Sequence, residues 1–251
     1  MIQQVLKGRK ILVCRPEPSA TELCTVLNSV GASSIALPCI QILPIEPSQT
    51  SKQYIFNLDQ YGKVIVVSQF AAHRVLSLVD ELWPQMPAEQ TWYGIGRKTT
   101  SVLAESEAQL YDAQQDLNSE GLLDIPDLQN VKGERILVVK GKDGRSKLEQ
   151  GLRARGAQID HLDLYERLKP EYSDEQLQNA LNDFVPDSII TLSLETLDNL
   201  HAYSQQTNYS AYNAKLVVPS QRVASHAQRL GFKEIAVSEQ LKPINLIQAL
   251  K

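Results

Sequence analysis

Six short segments of this 251-residue chain carry residues suited to holding an anion. They are Arg15-Pro16-Glu17-Pro18-Ser19, Ser68-Gln69-Phe70-Ala71, Gly96-Arg97-Lys98-Thr99, Lys140-Gly141-Lys142-Asp143-Gly144-Arg145, Ser193-Leu194-Glu195 and Ser220-Gln221-Arg222. Most open on Ser or Gly, the residue types that cap a helix or let the backbone approach a ligand. Each follows an apolar run and leads into a helical pattern. Free backbone N–H groups and the helix dipole at such a junction favour carboxylate or phosphate. Ordinary capping needs the same residues, so one segment alone says little; the repetition points to a ligand. Tyr165 is the other residue of interest. It lies in a Pro-bounded extended segment, LDLYERLKPEY at 162–172, where a phenol either serves a ligand or packs as an amphipathic aromatic at a hinge.

Other chemistries find no support. Segment 141–145 lacks the GxxxxGK[ST] spacing of a phosphate loop, and the chain holds no GxGxxG. His73, His161, His201 and His226 show no metal-ligand spacing, and Cys14, Cys24 and Cys39 form no CxxC pair, so no metal is expected. There is no GxSxG elbow, and no pair of carboxylates stands out as acid and base. A net charge of −4 without a basic–aromatic stripe argues against nucleic acid. It also means that an anionic ligand has to be gripped by local amides and cations rather than by the field of the whole protein. No apolar stretch has the length of a signal peptide core or a membrane span, so a cytoplasmic protein with no membrane partner is expected.

The elements that must position these residues show themselves as a repeat. GRKILVCRPEPSATELCTVLNSVGASSIALP at 8–38 is similar to GERILVVKGKDGRSKLEQGLRARGAQIDHLD at 133–163. Ile11 matches Ile136, Val13 matches Val138, Leu27 matches Leu152 and Gly31 matches Gly156, at a constant offset of about 125 positions. The match continues from 61–75 to 185–199, where Ser68 falls on Ser193. Each copy begins with a short apolar run of buried-strand type. A turn follows, then a helix with apolar residues three and four apart, then a glycine at the C-cap position and a second strand. Strand, helix, strand in that order requires a parallel sheet. Further units begin at Val64–Val67, Trp92–Ile95, Ser188–Thr191 and Leu216–Val218. The fold class is α/β, doubly wound, in two similar lobes. Segments 37–47 and 162–172 are matched, Pro-bounded and extended, and read as connectors; with both as linkers one lobe is discontinuous, otherwise the lobes are consecutive.

The order of these motifs resembles the uroporphyrinogen-III synthase family. RPEP after the first strand, GA and LP around the second, SxxA after the third, IGxxT after the fourth, then GxxGRxxL and LYER follow one another across nearly the whole chain. The resemblance implies two parallel-sheet lobes joined by a two-stranded extended connector, with the substrate in the cleft. That favours the discontinuous division: 1–36 plus 171–251, then 43–162, with 37–42 and 163–170 as paired linker strands. It implies cyclisation of hydroxymethylbilane, a linear tetrapyrrole with eight carboxylates, to uroporphyrinogen III in haem and sirohaem biosynthesis. The terminal pyrrole is inverted through a spiro intermediate and water is lost. No cofactor or metal is implied. Tyr165 matches the tyrosine that assists departure of the hydroxyl. Arg15, Ser68, Gln69, Phe70, Gly96, Thr99, Lys140, Gly141, Ser193, Leu194, Ser220 and Gln221 are the expected substrate-binding positions. The chain departs from the family pattern at Val223, Ser220, Phe70 and Lys140, which stand for threonine, glycine, asparagine and arginine. A monomer is expected, receiving its substrate by hand-over from the enzyme that makes it. A two-lobed sensor for an anionic metabolite, without catalysis, would use the same junctions but would have no need of Tyr165 as a proton donor.

Overall fold

The computed structural model describes residues 4–112, 118–142, 144, 147–207, 209 and 211–251. Its elements begin with β1 (Lys10–Val13), α1 (Ser19–Ser29), β2 (Ser33–Ala36), β3 (Gln41–Pro44) and α2 (Gln49–Phe56). They continue with β4 (Lys63–Val66), α3 (Gln69–Leu82), β5 (Thr91–Gly94), α4 (Arg97–Leu103) and α5 (Ser119–Asp124). Next come β6 (Arg135–Gly141), α6 (Lys147–Ala154), β7 (Gln158–Leu168), α7 (Asp174–Leu177) and β8 (Ser188–Ile190). The last are α8 (Leu194–Thr207), β9 (Lys215–Val218), α9 (Gln221–Leu230), β10 (Ile235–Val237) and α10 (Pro243–Leu250). The chain divides into two compact units, Met1–Ile42 with Leu168–Lys251, and Leu43–Arg167.

The first unit holds the sheet β10-β9-β8-β1-β2, with parallel neighbours throughout. Its strands are apolar on both sides because helices cover both faces. Leu12 of β1 packs with Leu197 and Leu200 of α8 and Val223 of α9. Ile11 and Val13, one residue away on either side, pack with Leu23 and Leu27 of α1 and Leu246 of α10. The second unit holds the sheet β3-β7-β6-β4-β5, in which β7-β6-β4-β5 are parallel. Ile136 and Val138 of β6 and Ile65 of β4 pack with Leu148 and Leu152 of α6.

The repeat is visible in both. β1-α1-β2 corresponds to β6-α6-β7, and β8-α8-β9 to β4-α3-β5, so the runs β9-β8-β1-β2 and β5-β4-β6-β7 are one frame. Gly31 and Gly156 end their helices at φ 95° and 86°, the left-handed conformation that a C-cap glycine serves. The place β10 takes beside β9 is marked beside β5 by an isolated parallel bridge, Trp92 to Leu110. The two segments read as connectors carry the boundaries between the units, at Ile42/Leu43 and Arg167/Leu168, and part of each is a strand, the two being neighbours in one sheet. Residues 163–168 form the far part of β7, and β3 lies at the edge of the same sheet. In β7 burial accompanies the extension, since Leu162, Leu164 and Tyr165 are all inside, whereas β3 is exposed at Gln41 and Pro44. Among the described residues, no helix is long and apolar enough to cross a membrane.

Candidate active site

In the second unit β4 and β6 are neighbours whose connections leave in opposite directions, β4 through α3 to β5 and β6 through α6 to β7. Open α/β sheets bind ligands at the strand carboxyl ends beside such a reversal. Ser68 follows β4, Gly141 ends β6, and Tyr165 lies on β7. Because β6 separates β7 from β4, Tyr165 must cross the end of β6 to meet Ser68.

Two local features allow the crossing. The β6–β7 register steps from Lys140↔Asp163 directly to Gly141↔Tyr165, passing over Leu164. This bulge breaks the inside–outside alternation, so that adjacent Leu164 and Tyr165 are 0% and 8% exposed. The tyrosine ring then occupies the space that a side chain at 141 would take. A Cβ on Gly141 would stand 2.5 Å from Cε2 and 2.7 Å from Cζ of Tyr165. Glycine is therefore required at this strand end for close approach rather than for backbone conformation.

Ser68 is the N-cap of α3. Its Oγ accepts from the Ala71 N–H at 3.2 Å and donates to Tyr165 Oη at 3.1 Å. The Tyr165 oxygen is thus an acceptor, and its own proton remains available; among the described residues no other partner meets this hydroxyl. Phe70, in the first turn of α3, meets the Tyr165 ring edge-on with centroids 5.1 Å apart. Gln69 opens the same helix. Gly96 precedes α4 at φ 82°, a conformation that only glycine adopts without strain, and nothing would meet a Cβ there within 4 Å. Thr99 sits one turn into α4 and is buried. Lys140 has an internal partner, its ammonium bonding Glu149 of α6 at 2.5 Å, with Arg153 3.5 Å from the other carboxylate oxygen. Asp143 and Arg145 lie outside the described residues.

In the first unit the corresponding reversal lies between β8 and β1. Ser193 follows β8; its Oγ accepts from the Thr196 N–H at 3.1 Å and shares a 2.7 Å hydrogen bond with the Thr196 hydroxyl. Leu194 opens α8 and packs on the core. Ser220 caps α9 with extended backbone but makes no side-chain capping bond, and Gln221 beside it is exposed. Arg15 follows β1; burial lowers its guanidinium from the ordinary value, with Glu22 opposing the shift. A partly desolvated cation of this kind gains from a bound anion.

A family model described as "Uroporphyrinogen-III synthase HemD" matches residues 21–248. The chain belongs to the uroporphyrinogen-III synthase family. The uroporphyrinogen-III synthases of Salmonella typhimurium and Escherichia coli are 28% and 29% identical to it, each covering 96% of this chain and 99% of the relative. A mutant uroporphyrinogen III synthase from Thermus thermophilus shares the fold with a TM-score of 0.65 at 16% identity, over 97% of this chain and 99% of that one. The Helicobacter pylori uroporphyrinogen-III synthetase does so with a TM-score of 0.60 at 15% identity, over 97% and 100%. As a member of the uroporphyrinogen-III synthase family the protein is an enzyme of porphyrin and haem biosynthesis. Sequence reading named Tyr165, Ser68, Phe70 and Gly141 singly, and the structure brings all four together. It missed the bulge and the partnership of Lys140 with Glu149. The adjacent apolar pair Leu164-Tyr165 within a strand of polar alternation was the available signal for the bulge.

Proposed function

We propose that this uroporphyrinogen-III synthase family member closes hydroxymethylbilane to uroporphyrinogen III without a cofactor, inverting the terminal pyrrole through a spiro intermediate and releasing water. One observation carries the reading: Tyr165 Oη, at the carboxyl end of the second unit's sheet, accepts from Ser68 and keeps its own proton to give. Tyr165 protonates the terminal hydroxyl, the C–O bond breaks, and water departs to leave an azafulvenium cation. The substituted carbon of the terminal pyrrole attacks it, the spiro intermediate fragments and recloses, and the ring proton lost on rearomatisation restores the phenol. Spontaneous closure attacks the unsubstituted carbon instead, so the enzyme's task is largely positioning.

The substrate's carboxylates require many weak grips. Backbone amides at the starts of α3, α8 and α9 supply them through Gln69, Phe70, Leu194 and Gln221, with Gly96, Thr99, Gly141, the backbone at Ser193 and the hydroxyl of Ser220. Arg15 adds charge, while Lys140 contributes through its backbone because Glu149 occupies its ammonium. The protein works as a monomer fed by the enzyme that makes the linear tetrapyrrole, with no nucleic acid or membrane. The test is to generate hydroxymethylbilane enzymatically, add this protein, oxidise the products and separate isomers I and III. Isomer III is expected. Isomer I alone from folded protein would leave a non-catalytic binder of an anionic metabolite.

A further inference from the structure

We propose that Ser68 is the positioning residue for the Tyr165 hydroxyl, and that alanine at position 71 is what leaves Ser68 free to act. The inference rests on the reading of Tyr165 as proton donor. The internal repeat supplies the comparison. Ser68 and Ser193 are matched, each follows a strand at the reversal of its sheet, and each accepts the N–H three residues on, from Ala71 at 3.2 Å and Thr196 at 3.1 Å. A serine hydroxyl has a single proton to donate. In the first unit the partner within reach is the hydroxyl of Thr196, at 2.7 Å from Ser193 Oγ, and the bond closes within the helix cap. In the second unit position 71 holds alanine, fully buried and without a hydroxyl. The proton of Ser68 goes to Tyr165 Oη instead. The residue matched to Tyr165 at the repeat offset is Ile40, which has no polar atom to serve. The pairs Thr196 with Ile40 and Ala71 with Tyr165 are complementary: each unit supplies its serine with one hydroxyl partner.

The direction of the bond matters. A phenolic O–H lies in the ring plane in one of two orientations, and a donor on one side of the oxygen selects the other. Gly141 and Phe70 hold the ring, and Ser68 sets which way its proton faces. A hydrogen bond received by the phenol also polarises its O–H, which strengthens it as a donor.

The test uses Ser68→Ala, Ser68→Thr, Ala71→Ser and Ala71→Cys in the full chain, with tyrosine ring carbons labelled and Tyr165 assigned by the signal lost in Tyr165→Phe. Ala71→Ser keeps the cap and both site hydroxyls but offers Ser68 the local partner that Thr196 is to Ser193. Ala71→Cys has similar bulk and hydrogen-bonds weakly. Ser68→Ala and Ala71→Ser are expected to shift the Tyr165 Cζ resonance and lower kcat for isomer III about 5- to 20-fold with KM little changed, as loss of one hydrogen bond with some misplacement implies. Ala71→Cys should stay close to the parent protein, and Ser68→Thr, which keeps the hydroxyl, should recover most of the resonance position and rate lost in Ser68→Ala. If the resonance ignores Ser68→Ala and Ala71→Ser while Tyr165→Phe is slow, the positioning role is overturned and the function of Tyr165 stands. If the resonance moves but Tyr165→Phe turns over at the full rate, the proton-donor reading falls, and the positioning role with it.

Discussion

Replacing Gly141 with alanine tests whether the tyrosine seat is as tight as its distances imply. Gly141 is absent from the glycines at positive φ, so its strand backbone accepts alanine without strain. The whole effect therefore comes from the new methyl, 2.5 Å from Tyr165 Cε2. Carbon atoms rest at about 3.5–4.0 Å, so the ring must move by roughly 1 Å. A shift of that size away from Ser68 takes the 3.1 Å contact beyond hydrogen-bond range. Overpacking of this size costs about 1–3 kcal/mol. A misplacement of about 1 Å in a catalytic group lowers turnover by about 100-fold.

Both tryptophans, Trp83 and Trp92, lie in the second unit, so tryptophan fluorescence in urea reports that unit alone. Four proteins are needed: the parent, Gly141→Ala, Tyr165→Ala and the double variant. Removing the ring opens the space, so in the Tyr165→Ala background the extra methyl should cost nothing or stabilise slightly by restricting the unfolded chain. The expected coupling between the two positions is about 1–3 kcal/mol. Equal penalties in both backgrounds would falsify the steric account, because the cost would then have to come from position 141 itself.

The second unit also depends on a buried ion pair. Lys140→Met leaves the Glu149 carboxylate, 4% exposed, with only the longer Arg153 contact among the described residues. Unfolding of that unit should become easier by about 3 kcal/mol, and the Lys140→Met/Glu149→Leu double variant should recover most of it. A double variant no better than the single would mean that packing rather than charge sets the loss. In the first unit, burial pushes the hydroxyls of Tyr172 and Tyr209 up to about 12. They donate to the Pro38 and Pro186 carbonyls, each at 2.8 Å. Unfolded tyrosine ionises near pH ~10, so between about pH 10 and 12 the folded state holds more protons than the unfolded one. Their stabilisation is thus complete below about pH 10 and declines as pH rises toward 12. Urea midpoints by circular dichroism should show a smaller alkaline loss for Tyr172→Phe/Tyr209→Phe than for the parent; an equal loss would clear these tyrosines of it.

The parts legible in the sequence were those where a local rule and the tertiary demand agree. The strands around Ile11–Val13 and Ile136–Val139 are apolar on both faces because helices cover both, and a continuous apolar run says so directly. Gly31 and Gly156 mark C-caps because little else tolerates that conformation. The far part of β7 reads as a connector because it is Pro-bounded and extended, and its bulge stayed hidden because two apolar residues side by side among polar ones fit no single period. The partner of Lys140 is a carboxylate on α6, brought near by a loop and a helix, and spacing along the chain carries no sign of it. Likewise Ala71, an unremarked helix residue, gains meaning only when its hydrogen-bonding neighbour is compared with that of Thr196.

The same comparison accounts for why the proposed proton donor belongs to one copy of the repeat. β2 and β7 are equivalent strands, but β2 is 4 residues long and β7 is 11. Ile40, matched to Tyr165, comes after β2 has ended at Ala36, whereas Tyr165 is still within β7 and paired to β6. Extension of the strand therefore carries the residue past the end of its neighbour while the ladder holds it. A side chain on such an element is placed more precisely than one on a free loop, which is what a general acid requires. The bulge then turns that side chain inward, and glycine at the end of β6 makes room for it. Strand length, bulge and glycine act as one device: loss of any of them should misplace Tyr165 while leaving the sheet that carries it intact.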